Sequence, residues 1–440
     1  MTAASGHAAD PSQNESLFGR WRRIPLYLRI LLGLALGIVA GLLLGPRAHP
    51  LEVPSKLVLR VLGALAPPLI LLAVIQALMK AELPKGSTFR LVSLLLLNTC
   101  VAIFIGLLVA NVLQPGRWTA ADSPKEPPKS VSTASPLVLL LENIPKSLLG
   151  PFGDDGKVIG VILWAVAFGI ALRNPKHRAV VGELVDTGME ALITILHWII
   201  ELIPLAVFGV VASIIGTDGF AKFSALGGFV IAVILALLLQ IGYYLVRIRY
   251  GSWVSPLGVL RDMRDALVMA FSTGSSTATM PVTYSLLKNR VGLRERSASL
   301  GSLVGANFNN DGTALYEAMS ALFISQLLGQ HLTLMQQLLV VLTSIVASVG
   351  AAGIPEAGLV TMTLVFKAVG LPTEYIAILL PVDWFLDRCR TAVNVMGDVN
   401  VSCLLDGRTP QSADPVSQGG PAVPDDVPVL PVAPQSENSN

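Results

Sequence analysis

Asp383-Trp384-Phe385-Leu386-Asp387-Arg388-Cys389-Arg390-Thr391-Ala392-Val393-Asn394-Val395-Met396-Gly397-Asp398 sets five charged side chains between apolar flanks. At about 100° per residue a helix gathers Asp383, Asp387, Arg390, Thr391, Asn394 and Asp398 into an arc of about 100°. One face then carries three carboxylates, a guanidinium, a hydroxyl and an amide. A single charge at the centre of a bilayer costs about 2.5–3.5 kcal/mol on insertion scales. Such a face persists only where it looks onto a polar cavity holding ions or a charged solute.

The rest of the chain supplies the bilayer. Of 440 residues, 53% are hydrophobic and 14% charged, with a mean hydropathy of +0.66. Soluble domains carry about 25% charged residues, so an integral membrane protein follows. The net charge of +2 and the lack of a basic cluster give no indication of nucleic acid. Cys100, Cys389 and Cys403 have neither the spacing of a disulfide framework nor that of a zinc site.

Apolar runs near the roughly 20 residues of a span occur at 24–45, 61–79, 91–113, 158–172, 183–216 and 223–246. The first continues past Gly45 with no small-residue cleavage site, so it reads as a retained span. Residues 256–290, 297–328, 332–366 and 373–404 are apolar but interrupted by Ser, Thr, Gly, Asn, Asp and Pro. Broken helices at membrane depth need protein or a water-filled cavity to satisfy their backbone, and paired ones point to a transporter site. Basic residues crowd alternate loops: Arg20/Arg22/Arg23, Lys80/Lys85/Arg90, Arg173/Lys176/Arg178, Arg247/Arg249/Arg261/Arg264 and Lys288/Arg290/Arg294/Arg296. The positive-inside rule then puts the N-terminus in the cytoplasm. The C-terminus joins it if 256–290 and 332–366 are re-entrant hairpins. The segment from Thr409 to Asn440, with seven prolines, cannot bury a core and is expected to be disordered.

Three further motifs carry chemistry. Ser272-Thr-Gly-Ser275-Ser276-Thr-Ala-Thr-Met-Pro281 allows a tight turn whose free N–H groups and hydroxyls suit a carboxylate; serine and threonine also glue membrane helices together. Gly305-Ala-Asn307-Phe-Asn309-Asn310-Asp311-Gly312-Thr313-Ala-Leu-Tyr-Glu317 breaks a helix and offers hard oxygens to a cation, or simply caps a helix with Asp311. Ala347-Ser348-Val349-Gly350-Ala351-Ala-Gly-Ile-Pro-Glu-Ala-Gly358 suits a mobile hairpin tip or a plain glycine-rich turn.

In this order, and followed by the Asp383–Asp398 face, the motifs resemble those of the dicarboxylate/amino acid:cation symporter family, the glutamate/aspartate transporters. The resemblance covers about residues 24–405. It implies an all-α polytopic membrane protein with eight transmembrane helices and two re-entrant helical hairpins, working as an elevator-type homotrimer. Residues 1–23 would be a cytoplasmic segment and 24–405 the transporter domain. The scaffold would occupy about 24–79 and 136–217, the transport part about 91–113 and 223–405. Residues 406–440 would form a disordered cytoplasmic tail. The implied location is the cell (inner or plasma) membrane, and the implied activity is symport of aspartate or glutamate coupled to sodium and/or protons, with no cofactor.

By the same resemblance Asp387 accepts the substrate amino group and Arg390 grips its side-chain carboxylate. Thr391, Thr313 and Gly358 line the site, and Asn394 with the Ser275-Ser276 backbone holds the α-carboxylate. One cation site maps onto Asp398 with carbonyls of Gly305, Asn309 and Asn394. A deeper one maps onto Asp311, the Asn309 side chain, Asn98 and Thr99. A third uses Asn307 and carbonyls near Ser348, Val349 and Ala351. Sodium is the implied ion there, with no transition metal. The chain departs from the family pattern at Asn310 (usually Met), Asn307 (usually Thr) and Leu95 (often Tyr), all around these sites. Glu317 stands where proton-coupled members carry Glu, and so is read as a proton carrier; a protonated Glu bonded to a carbonyl and never cycling is the alternative. Arg388 is read as balancing the carboxylates.

Members for neutral amino acids lack the arginine and those for C4-dicarboxylates lack the aspartate; Asp387 and Arg390 are both present here, which favours acidic amino acids over those two alternatives. An intramembrane hydrolase built on the serine cluster and Asp387 needs a base near the serine, yet the five histidines and every lysine lie outside the four motifs. A cation channel lined by Asp and Asn fits less well with an Arg beside an Asp and two opposed hairpins.

Overall fold

The structure, a computed structural model, describes residues 24–80, 88–118, 147–152, 158–350 and 357–410. The expected N-terminal segment, most of the expected tail and Ala351 lie outside them. Every regular element among the described residues is helical. Helix α1 (Leu26–Leu44) runs through a 3₁₀ segment (Gly45–Glu52) into α2 (Val53–Lys80). Then come α3 (Thr88–Leu113), α4 (Val158–Ala171), α5 (Pro175–Ile200), α6 (Ile203–Asp218) and α7 (Phe220–Gly251). Helix α2 continues through Pro67 and Pro68 and begins eight residues before the apolar run at 61–79.

The run at 183–216, expected as one span, is two helices bent by 42° between α5 and α6. Pro204 near the start of α6 has no N–H to give and crowds the preceding turn, so α5 ends at Ile200. Glu201 at this corner pairs with buried Arg29 of α1 at 2.6 Å. Helix α1 lies along α6 on a stripe of Gly33, Gly37 and Gly41. A Cβ on Gly37 would sit 2.7 Å from the Phe208 carbonyl oxygen, and one on Gly41 2.7 Å from that of Ala212. Small residues four apart let two helix backbones touch where lipid supplies no hydrophobic drive. The opposite face of α1 is apolar and exposed, Leu43 at 81%, as a lipid-facing surface is. α2 packs on α4, α5 and α6.

The last third is built differently. α8 (Pro256–Asp262) and α9 (Arg264–Thr273) lead to a tip at Gly274, and α10 (Ser276–Leu286) returns along α9. Gly274 has φ +65°, the left-handed conformation that glycine adopts without strain, and Ser275 caps α10 by accepting from the Ala278 N–H at 3.1 Å. Beyond α11 (Glu295–Ser299) a π-helical turn (Leu300–Val304) precedes the one-turn α12 (Gly305–Phe308). Asn309 and Asn310 then break the chain before α13 (Asp311–Leu327). α14 (Leu334–Gly350) and α15 (Ala357–Ala368) pack along each other, and a 3₁₀ turn (Thr373–Leu379) enters α16 (Leu380–Asp406). α16 packs on α7, α9, α10, α12 and α13. The polar face is therefore enclosed by protein on every side, and Arg390 is fully buried.

Candidate solute and cation site

α16 supplies the guanidinium. Arg390 Nη2 donates to Asp387 Oδ1 at 2.7 Å, and Nη1 lies 3.2 Å from Asp383 Oδ1. The guanidinium carbon sits 4.0 Å from the centre of the Tyr316 ring, an attraction that strengthens out of water. Gly358 at the start of α15 closes the other side; a Cβ there would come within 3.0 Å of Arg390 Nη1. The tip of the first hairpin arrives at Asp387, where a Cβ on Gly274 would stand 3.1 Å from Oδ2. Thr391 donates to the carbonyl of Asp387 at 2.8 Å. Asp387, Arg390, the Gly274–Ser275 tip and Gly358 thus converge on one point.

Several polar atoms there are buried without a hydrogen-bond partner among the described residues. They are Arg390 Nε and Nη1, both oxygens of Asp383, Ser276 Oγ and Glu317 Oε2. The 3.2 Å approach of Arg390 to Asp383 is a charge contact without hydrogen-bond alignment. Native interiors leave few buried polar atoms unpaired, so this group of them makes the point a candidate site for a polar solute. Glu317 on α13 accepts from the Thr361 hydroxyl of α15.

One to two turns along α16, at Asn394 and Asp398, the surroundings become oxygen-rich. Asn309 Nδ2 donates to Asp398 Oδ1 at 3.0 Å and to the Asn394 carbonyl at 3.2 Å. Gly305 presses on Asp398, where a Cβ would sit 2.5 Å from Oδ1. Asn394 accepts from the Gly312 N–H at 2.8 Å and reaches Asn310 at 3.3 Å and Thr313 at 3.4 Å. Asn310 donates to the Ser348 carbonyl at 2.9 Å, tying the break to the end of α14. Asp311 accepts from Thr99 of α3 at 2.7 Å, and Asn98 beside it reaches Asn400 at 3.4 Å.

Two expected residues stand apart. Asn307 is half-buried and donates to Leu303 one turn back at 3.1 Å. Arg388 lies 4.4 Å over the Trp384 ring and donates to the Trp384 carbonyl at 2.9 Å. Val349 lies in the last turn of α14. Tyr316, Thr361, Tyr244, Asn400 and Arg247 were not read as site residues. Tyr316 is next to Glu317 and Thr361 one turn past Gly358, so helical spacing could have found those two. Tyr244 and Arg247 carry no local signal, because they meet α3 and α13 across the fold.

A buried arginine lies between two carboxylates here, beside an oxygen-lined helix break, within a bundle of apolar helices. Residues 26–408 match the model of the sodium:dicarboxylate symporter family, and the chain belongs to that family. Its relatives include excitatory amino acid transporter 4 of Mus musculus, 37% identical over 280 residues, which are 61% of this chain and 48% of that protein. A putative sodium-dependent excitatory amino acid transporter, glt-4 of Caenorhabditis elegans, is 30% identical over 86% of this chain and 89% of its own length. Excitatory amino acid transporter 1 of Homo sapiens is 38% identical over 54% of this chain and 45% of its own. The matches to the mammalian proteins thus span about half of their length.

Proposed function

We propose that this chain is a secondary symporter for aspartate or glutamate, driven by sodium, protons or both. The observation that carries this reading is the buried Arg390 guanidinium, whose Nε and Nη1 have no hydrogen-bond partner among the described residues, with Asp387 and Asp383 around it. A planar guanidinium binds a carboxylate through two parallel hydrogen bonds. A solute with one carboxylate on Arg390 would free Asp387 for its ammonium group. The second carboxylate would fall to Asn394, Thr313 and the N-terminus of α10 at Ser275-Ser276, where free N–H groups favour an anion. Thr391 would complete the wall.

Cargo cations fit the oxygen-lined break. Asp398 with the Asn309, Asn394 and Gly305 carbonyls is a hard-oxygen set. A cation there offsets the negative charge that Asp398 and an acidic amino acid bring together, and each ligand raises the affinity of the other by the same factor. Glu317, fully buried on α13 and bonded to Thr361 of α15, would carry a proton. Arg388 would offset part of the negative charge of α16 from its far side.

The whole-molecule reading is an elevator: α1, α2 and α4–α6 as a static scaffold, α3 and α7–α16 as the moving part. The α9–α10 and α14–α15 hairpins would gate the two sides, in a homotrimer of eight-span subunits with cytoplasmic termini in the cell membrane. The packing of α1 on α6 and of α16 within its own group supports this division. Uptake of labelled aspartate into proteoliposomes, with sodium and proton gradients imposed separately, tests the function. Accumulation driven by at least one gradient is expected; uptake equal to that of empty vesicles under both would contradict it.

A further inference from the structure

Two buried carboxylates flank the break between α12 and α13, and the chain treats them differently. Beside Asp398, the Asn309 side-chain oxygen is a buried acceptor with no donor among the described residues. An unpaired oxygen next to a carboxylate is a free acceptor for a cation. Asp311 has both of its own oxygens engaged by hydroxyls. Its Oδ1 takes the Thr99 hydroxyl at 2.7 Å and its Oδ2 the Tyr244 hydroxyl at 2.5 Å.

Asn98, the neighbouring oxygen donor, is also engaged. Its side-chain oxygen accepts from Arg247 Nη1, its amide reaches Asn400 at 3.4 Å, and its carbonyl accepts from Gln240 at 3.4 Å. Arg247 is half-buried near the end of α7, braced 5.4 Å over the Tyr243 ring. Counted as basic loop density in the sequence, Arg247 in fact turns inward.

We propose that Arg247, which occupies the Asn98 oxygen, and Tyr244, which donates to Asp311, close the Asp311 position to cargo cations, so that sodium carried by this chain binds elsewhere, around Asp398. A sodium ion entering at Asp311 would have to displace both hydroxyls and would find the neighbouring Asn98 oxygen already held by the Arg247 guanidinium. The inference rests on the symporter reading for one of its two readouts only.

The test uses the purified full-length protein. The slope of log Kd for L-aspartate against log sodium concentration counts the ions bound together with the solute. Arg247→Gln is expected to raise that slope by about one, and Arg247→Lys to leave it native. An Arg247→Gln protein that binds aspartate with the native slope overturns the proposal. If Arg247→Gln does not fold, Asp311→Asn in the chain that keeps Arg247 decides the matter. An unchanged slope is expected, and a fall by about one shows that sodium occupies Asp311. If the native protein binds no aspartate, the substrate reading fails by itself. The proposal is then read from the sodium dependence of melting temperature, since a ligand of the native state raises it: Arg247→Gln should steepen this dependence, and an identical dependence overturns the proposal.

Discussion

At Arg390 a guanidinium shut away from water is held by Asp383, Asp387 and the face of Tyr316. Removing it outright leaves two buried carboxylates uncompensated, which costs about 3–5 kcal/mol. Arg390→Lys is the cleaner change, because it keeps the charge and loses the fork. Hydrogen bonds to charged groups are worth about 1.5–3 kcal/mol each. Aspartate affinity of Arg390→Lys should therefore fall by roughly 10- to 150-fold, measured by equilibrium binding, with melting near native. At Glu317 the neutral analogue tests proton carriage: uptake by Glu317→Gln should lose its dependence on pH, and an unchanged pH profile would end that role.

At the level of elements, two contacts govern assembly. The glycine stripe of α1 leaves no space against α6, so Gly37→Leu should lower stability by about 1–3 kcal/mol as overpacking does, read as a drop in melting temperature. A matching change at Gly63, where a Cβ meets nothing within 4 Å, should be mild. How much was legible in the sequence follows the same division between local and distant. α16 stood out because carboxylates among apolar residues need a partner, and the break before Asp311 because Asn-Asn-Asp-Gly interrupts helical bonding. The corner at Glu201–Ile203 was hidden because apolar residues run on through both of its sides, although Glu201 and Pro204 mark it. The Arg29–Glu201 pair and the Tyr244–Asp311 and Arg247–Asn98 contacts were illegible, since each joins residues more than 60 positions apart with no periodicity to connect them.

Across the whole molecule the proposed site lies where the α9–α10 tip and the start of α15 approach α16, so on this reading solute entry requires one of them to move. A disulfide joining the Ser272–Pro281 tip to the Gly350–Gly358 segment should stop aspartate exchange in proteoliposomes and release it on reduction. Exchange at full rate in the oxidised protein would speak against gating by these tips. The central claim is that the polar enclosure on α16 holds one acidic amino acid. Calorimetric titration of the purified protein with L-aspartate, across sodium concentration and pH, addresses it most directly. Saturable binding of one aspartate per chain, weakened in Arg390→Lys, is the predicted result; no heat from aspartate or glutamate under any sodium concentration or pH would contradict it.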